Sequence, residues 1–261
     1  MTEPRILKSE TICSDCVSRR GGLCSGLPDG VRGKLAEGAR VVDYPADRLL
    51  WDEESRPGFV AIVRKGFLRM VRYSVEGRRQ IMAIVAPGEL IGEGFETRSG
   101  YALETATPVR LCRMERGTFE RLSEDEPSVG RAFYRQCVER LDSLRRVTWS
   151  LGLQSPEERF CGFLASARQT MPYQPVGKGG ILRIEISRAD IADYLGTTRE
   201  TISRIAHKLQ SAGLIEIRDP ATFHIPDMER LEAVGASRGG WRKRSARTPV
   251  VADMAEGARI L

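Results

Sequence analysis

Three of the six cysteines, Cys13, Cys16 and Cys24, form a C-x2-C-x7-C pattern in a stretch rich in Ser, Gly, Arg and Asp. Thiols gathered in a polar loop are rarely there for packing. Thiolates are soft ligands, and a zinc ion or an iron–sulfur cluster requires about four of them or their equivalents. The two histidines, His207 and His224, lie far along the chain, so the fourth ligand is expected to be another cysteine. Cys112, Cys137 and Cys161 are the candidates. Cys137 sits in a long helical repeat and Cys161 in the apolar run FCGFLASA, where a small buried side chain is the commoner reading. Cys112 instead lies in VRLCRMERGTFERLS, a strand leading into a short helix. Spacing alone leaves open an iron–sulfur cluster, a four-cysteine zinc site, redox-active thiols or no ligand, since a C-x2-C pair serves all of them.

A second set of residues suits a different chemistry. In DIADYLGTTRETISRIAHKLQSAGLIEI, Ile202, Ile205, Leu209 and Ala212 recur at three- and four-residue intervals, while Arg199, Glu200, Ser203, Arg204 and His207 occupy the other side. A carboxylate among basic residues is suited to accept from cytosine N4. Arg204, one turn on, can fork onto guanine O6 and N7, and Ser203 can approach a base edge or a thymine methyl. Glu200 also stands in T-x-x-E spacing with Thr197, so it can equally close a capping box.

The elements that must carry these residues can be read outward from them. The spacing predicts a first helix over 188–195 with Ser187 as N-cap, a turn at Gly196 and a second helix from about Thr197 closed by Gly213. Strand, turn and strand follow over 214–218, 219–221 and 222–226, a wing. Ser155 and Pro156 start a preceding helix that buries Phe160, Phe163, Leu164 and Ala167, and 171–180 reads as a loop before a short strand. Upstream, GRAFYRQCVERLDSLRRVTWSLGLQ is a long helix whose Tyr134, Cys137, Leu141, Leu144, Thr148 and Leu151 form a narrow seam. Two parallel helices bury such a seam against each other. Residues from about 35 to 121 are β-rich, with strands expected at 59–64, 67–73 and 80–85 and turns at Lys65-Gly66, Glu76-Gly77 and Pro87-Gly88. The expected fold is α+β, in five parts: a cysteine-rich segment (1–34), a β-roll sensor domain (35–125), a dimerisation helix (126–153), a winged helix-turn-helix domain (154–235) and a disordered tail (236–261).

These segments together resemble the Crp/Fnr superfamily of bacterial transcription regulators. Glu200, Thr201, Ile202, Ser203 and Arg204 are similar to the E-x-x-S-R recognition signature of its fumarate-and-nitrate-reduction (FNR) branch. The resemblance implies that Glu200 and Arg204 read the G·C pair of a TTGAT half-site, with Ser203 against a thymine, in a palindrome of the TTGAT-N4-ATCAA type. Arg199 departs from that branch, which has an apolar residue there, and is like the cyclic-AMP receptor branch, so the outer base of the half-site is left open. The resemblance also makes Cys112 the distant fourth ligand of an oxygen-labile [4Fe–4S] cluster held with Cys13, Cys16 and Cys24. It makes the long helix a dimer interface, placing two recognition helices about 34 Å apart. Leu144 stands where that branch carries an acidic residue against cluster-free dimers. The β-rich part resembles a cyclic-nucleotide-binding roll, but Gly92-Glu93 is followed after only four residues by Arg98-Ser99, a loop too short to cradle a phosphate.

Composition agrees and excludes other classes. The 261 residues allow two domains, and 41% hydrophobic content gives each a core. A net charge of +6 suits a polyanionic partner. The polar N-terminus and the lack of an apolar run of roughly 18 residues argue against secretion or a membrane span, so a cytoplasmic protein with reduced thiols is expected. No Walker motif, G-x-S-x-G, H-E-x-x-H or G-x-G-x-x-G occurs, which argues against an enzyme. The expectation is an oxygen- or redox-responsive regulator whose partners are double-stranded DNA, a second copy of the chain and RNA polymerase. The alternative is a regulator of the same fold that senses a small molecule or thiol redox state without a cluster.

Overall fold

The computed structural model describes Cys13, Cys16, Ser18 and residues 21–92 and 98–236. The expected tail beyond Ala236 and Glu93 of the Gly92-Glu93 pair lie outside the described residues. The chain opens with a 3-10 turn, Leu23–Gly26, and helix α1, Asp29–Gly38. Eight strands follow: β1 Ala39–Tyr44, β2 Leu49–Trp51, β3 Phe59–Lys65, β4 Leu68–Tyr73, β5 Arg79–Val85, β6 Leu90–Ile91, β7 Ala102–Thr105 and β8 Val109–Glu115. They form two antiparallel four-stranded sheets, β1-β8-β3-β6 and β2-β7-β4-β5, which face each other as a roll.

Alternation along the strands decides what lies inside. Ala61 and Val63 of β3 and Val109 and Leu111 of β8 point into the roll against Trp51, Leu68, Val85 and Leu103. The intervening Val60, Ile62, Cys112 and Met114 point the other way, into a layer built from Leu23, Leu35, Phe119 and Val129. Both faces of this sheet are therefore covered, which is why β3 is a continuous buried run rather than an alternating one. Each fully buried Leu or Ile contributes about 1.5–3 kcal/mol of transfer free energy.

Helix α2, Arg116–Asp125, leads into the long helix α3, Pro127–Leu153, whose proline occupies the first turn, where a missing N–H costs nothing. Helix α4, Pro156–Ala167, starts with the expected N-cap: the Ser155 hydroxyl accepts from the Glu158 amide and the Glu158 carboxylate accepts from the Ser155 amide, a full capping box. The C-terminal sheet has the order β11-β12-β10-β9, comprising β9 Tyr173–Val176, β10 Gly179–Arg183, β11 Glu216–Ile217 and β12 Thr222–Ile225. The stretch 171–180, read from sequence as a loop, contains β9 and its hairpin to β10. Pro175 is tolerated because β9 is an edge strand. Helices α5 Arg188–Tyr194, α6 Arg199–Ser211 and α7 Met228–Ala236 complete the domain.

Candidate DNA interface and thiol site

Helix α5 begins at Arg188 behind Ser187, whose hydroxyl accepts from the Asp190 amide at 3.0 Å. The turn to α6 passes through Gly196 at φ 60, a left-handed conformation that glycine adopts without strain. The N-cap of α6 is Thr198, accepting from the Thr201 amide at 3.2 Å, rather than its neighbour Thr197. Thr198 thus caps the helix in place of the alternative box between Thr197 and Glu200. Backbone amide and Thr198 hydroxyl hydrogen bonds hold the Glu200 carboxyl below its usual range, so it is an ionised acceptor. Ile202, Ile205 and Leu209 are buried, as the period requires, whereas Ala212, expected in the same stripe, is the exposed C-cap because the helix ends at Ser211; Arg199, Glu200 and Arg204 are exposed.

Ser203 is half-buried, and its hydroxyl accepts from the Arg188 guanidinium at 3.2 Å. The same arginine donates to the Pro220 carbonyl in the wing at 3.4 Å. Arg188 joins the recognition face although the sequence reading did not assign it there. A cation in the first turn of a helix opposes the macrodipole, and that local misfit is the signal that could have marked it. Arg159 of α4 donates to the carbonyls of Leu151 and Gln154 at the end of α3, at 3.3 and 3.2 Å, and to Gly196 at 3.4 Å. One side chain therefore ties the long helix to the helix-turn-helix corner.

The cysteines divide into two groups. Cys24 sits on the 3-10 turn, Cys13 and Cys16 precede it, and Cys112 lies on β8 opposite Val41 and Ile62, facing the helical layer. Cys13, Cys24 and Cys112 line one small cavity with Arg32 and apolar residues including Leu35, Val60, Leu90 and Phe119, while Cys16 is not part of its lining. Burial pushes the Cys24 thiol up to about 12, with the nearby charges of Cys112, Cys16 and Cys13 adding to the rise and Arg32 opposing it. Cys112 is pushed up to about 12 by burial and by Cys13, against Arg64. Among the described residues no three His, Cys, Asp or Glu side chains are drawn close enough to hold a metal ion. Cys137 and Cys161 stand apart, on α3 and in the core of the C-terminal domain. Among the described residues no cysteine is in a disulfide.

The 3-10 turn is pinned to the roll and to α3. The Leu23 amide donates to Gly88 O at 3.1 Å, in the turn between β5 and β6. Two residues on, the Leu90 amide donates to Gln136 of α3 at 3.0 Å, and Leu90 O accepts from Arg140 of α3 at 2.8 Å. On the opposite face of α3, Tyr134 is 71% exposed, and Val138 and Leu141 continue an apolar stripe, whereas the Leu151 side chain lies against the Gly196 turn of its own chain. Cys137 and Leu144 are half-buried and Thr148 is exposed. Leu144 also lines a cleft with Met82, Ala83 and Tyr194. Val138 extends the seam beyond the residues expected from sequence.

Ser99 offers its hydroxyl to other partners: it accepts from Trp51 Nε1 at 3.1 Å and donates to Tyr101 O at 2.6 Å. Arg98 is exposed beside Glu54 at 3.9 Å. The described part of this loop thus forms a surface turn.

The two halves match known families separately. Residues 41–126 match the cyclic nucleotide-binding domain family and residues 158–234 the Crp-like helix-turn-helix domain family. The nitrogen fixation regulation protein FixK of Rhizobium meliloti is 30% identical over 172 residues, which cover 66% of this chain and 76% of the relative. The chain belongs to the Crp/Fnr family of transcription regulators. FixK of Bradyrhizobium diazoefficiens is 29% identical over 225 residues, covering 86% of this chain and 94% of the relative. The solved structure of FixK2 from Bradyrhizobium japonicum superposes with a TM-score of 0.70 at 25% identity, covering 76% of this chain and 98% of that one. This Crp/Fnr chain is a DNA-binding transcription regulator, its relatives are regulators rather than enzymes, and family members of this kind are typically dimeric. Among the described residues no helix is long and apolar enough to cross a membrane.

Proposed function

We propose that this regulator responds to oxygen or redox state through a [4Fe–4S] cluster held by Cys13, Cys16, Cys24 and Cys112, and that as a dimer it reads a palindrome of the TTGAT-N4-ATCAA type. The observation that carries this reading is that Cys13 and Cys24 of the cysteine loop and Cys112 line one largely apolar cavity. The residues fit the group: the donor set is all sulfur, and the lining is apolar apart from Arg32, whose charge favours the Cys24 thiolate that ligation needs, against the burial that raises Cys24 and Cys112. When bound, the cluster would supply an oxygen-labile iron–sulfide core. The chain's own part is mechanical. Gly22 and Leu23 hold the turn between β5 and β6, and Gln136 and Arg140 hold Leu90 on the far side of that turn. Order in the cysteine loop is thereby felt by the helix that carries the apolar seam.

At the DNA, Glu200 accepts from cytosine, Arg204 forks onto guanine, Ser203 lies against a thymine, and Arg199 reaches the outer base. RNA polymerase is the partner at the promoter, and the cytoplasm is where the thiols stay reduced. The test is iron and acid-labile sulfide in protein purified without oxygen. Wild type is expected to contain both, and Ser at any of Cys13, Cys16, Cys24 or Cys112 to abolish the visible absorption, whereas Cys137→Ser and Cys161→Ser leave it. Zinc without sulfide in the wild type overturns the sensor reading, and a full cluster in Cys112→Ser overturns the fourth ligand.

A further inference from the structure

The most deeply buried carboxylate in the DNA-binding domain makes its ion pairs with the sensor domain. Asp190 of α5 is 1% exposed. It accepts from the Arg69 guanidinium on β4 at 3.0 and 3.2 Å and from Arg79 on β5 at 3.1 Å. Arg79 also donates to Asp193, one turn along α5, at 2.6 Å, and Gln80 donates to the Asp193 carbonyl at 2.7 Å. Arg69 is buried in turn, and Glu104 at 2.7 Å and Asp47 at 2.9 Å hold its remaining nitrogens. An acidic face of the first helix of the helix-turn-helix thus docks on a basic sheet. Beside it, Phe67 and Ala86 of the roll join the apolar core of the DNA-binding domain.

Buried charge pairs of this kind tolerate one geometry, because any other leaves a desolvated charge without a partner. Arg159 supplies a pivot at the α3–α4 corner, and a pivot alone leaves rotation free. The Arg69/Arg79–Asp190/Asp193 contact is a second tie, on α5 itself, and removes that rotation. The recognition helix then has one orientation relative to the sensor domain and α3. In a two-fold pair joined along α3, that orientation fixes the separation and phase of the two recognition helices.

We propose that this ion-pair latch sets the half-site spacing the regulator accepts, acting as a positioning device separate from the residues that read bases. The proposal rests on the dimeric DNA reading above. Changing the spacer by one base pair moves a half-site by about 3.4 Å along the duplex and about 35° around it, a displacement a rigid pair cannot follow.

The test measures binding to duplexes carrying the selected half-sites with the spacer lengthened and shortened one base pair at a time. Wild type is expected to lose on the order of tenfold or more per step, about 1.4 kcal/mol. Arg79→Asp, at a half-buried position, is expected to flatten that penalty to about twofold while keeping the same base preference within each half-site. The exchange Arg79→Asp with Asp193→Arg restores the pair, lets residue 193 also face Asp190, and should restore the spacing penalty. A full wild-type penalty in Arg79→Asp, or a double exchange as relaxed as the single one, overturns the latch. Wild type indifferent to spacing would instead overturn the dimeric palindrome reading beneath it.

Discussion

Gly22 lies flat against Gly88: Leu23 N donates to Gly88 O at 3.1 Å, and a Cβ on Gly22 would stand 2.0 Å from that oxygen. Gly22 also has φ 82, so a side chain there is strained twice over. The contact joins the cysteine loop to the turn that α3 grips through Gln136 and Arg140. Gly22→Ala is expected to push the loop off the roll. Iron content of anaerobic protein should drop steeply while the far-UV spectrum and the thermal midpoint of the C-terminal domain stay near wild type. Full iron loading in Gly22→Ala would mean that the loop assembles its site without this seat.

The exposed stripe of α3 is the proposed dimer seam, and a charge placed in it tests that role. Leu141→Glu puts a carboxylate where a two-fold partner brings its own, with no counter-charge. Sedimentation is expected to show monomers for Leu141→Glu whether or not iron is bound, and DNA affinity should fall by more than tenfold, above about 1.4 kcal/mol. Leu144→Glu is expected to act more weakly, since Leu144 is half-buried and turned partly toward its own cleft.

Much of this was legible in local sequence, and the failures have physical causes. The stripe Ile202, Ile205, Leu209 and the S-P-E-E start of α4 are local signals, read within one or two turns, and they recur in the structure. Helix α1 was missed because DGVRGKLAEG carries two interior glycines that lower helix propensity; burial of Val31 and Leu35 supplies what propensity does not. Strand β9 was missed because Pro175 and the following glycines read as a loop, and only its edge position makes the proline harmless. The pairing of Arg69 with Asp190 spans 121 residues and leaves no local periodic trace. The convergence of Cys112 on the cysteine loop was likewise invisible to spacing and came from resemblance alone.

Cys161 offers a pH test away from the proposed ligands. Burial, and behind it the charges of Glu157 and Glu158, push this thiol from near 9 up to about 12. The folded state therefore holds the proton more tightly than the unfolded chain does. The associated stability is fully present below the unfolded value and is lost as pH rises from 9 toward 12. Wild type should lose stability over that window more steeply than Cys161→Ala, measured by denaturant midpoints. Parallel curves would show that Cys161 does not contribute. At about pH 8 the native thiol should resist iodoacetamide and react once urea opens the domain.

Base reading separates from general attraction at two exposed residues of α6. Glu200 is held ionised by its amide and Thr198 contacts, and Arg204 lies one turn on with its guanidinium 3.3 Å from the Thr201 hydroxyl, a weak tether that a guanine can displace. Arg204→Ala and Glu200→Ala are each expected to cost about 1–3 kcal/mol per half-site on the matched sequence, with discrimination lost at those base pairs only. Nonspecific affinity should barely change for Arg204→Ala and rise slightly for Glu200→Ala, because a repelling carboxylate is gone. A residue that contacts phosphate behaves otherwise, since its loss lowers affinity on every sequence and flattens the salt dependence by about one charge. Arg188→Ala should fall between these limits, releasing the Ser203 hydroxyl and altering preference at the base it faces. Selection from random duplexes with anaerobic protein decides the matter: a TTGAT-type palindrome is expected, and enrichment of an unrelated or non-palindromic site would displace α6 as the reading element.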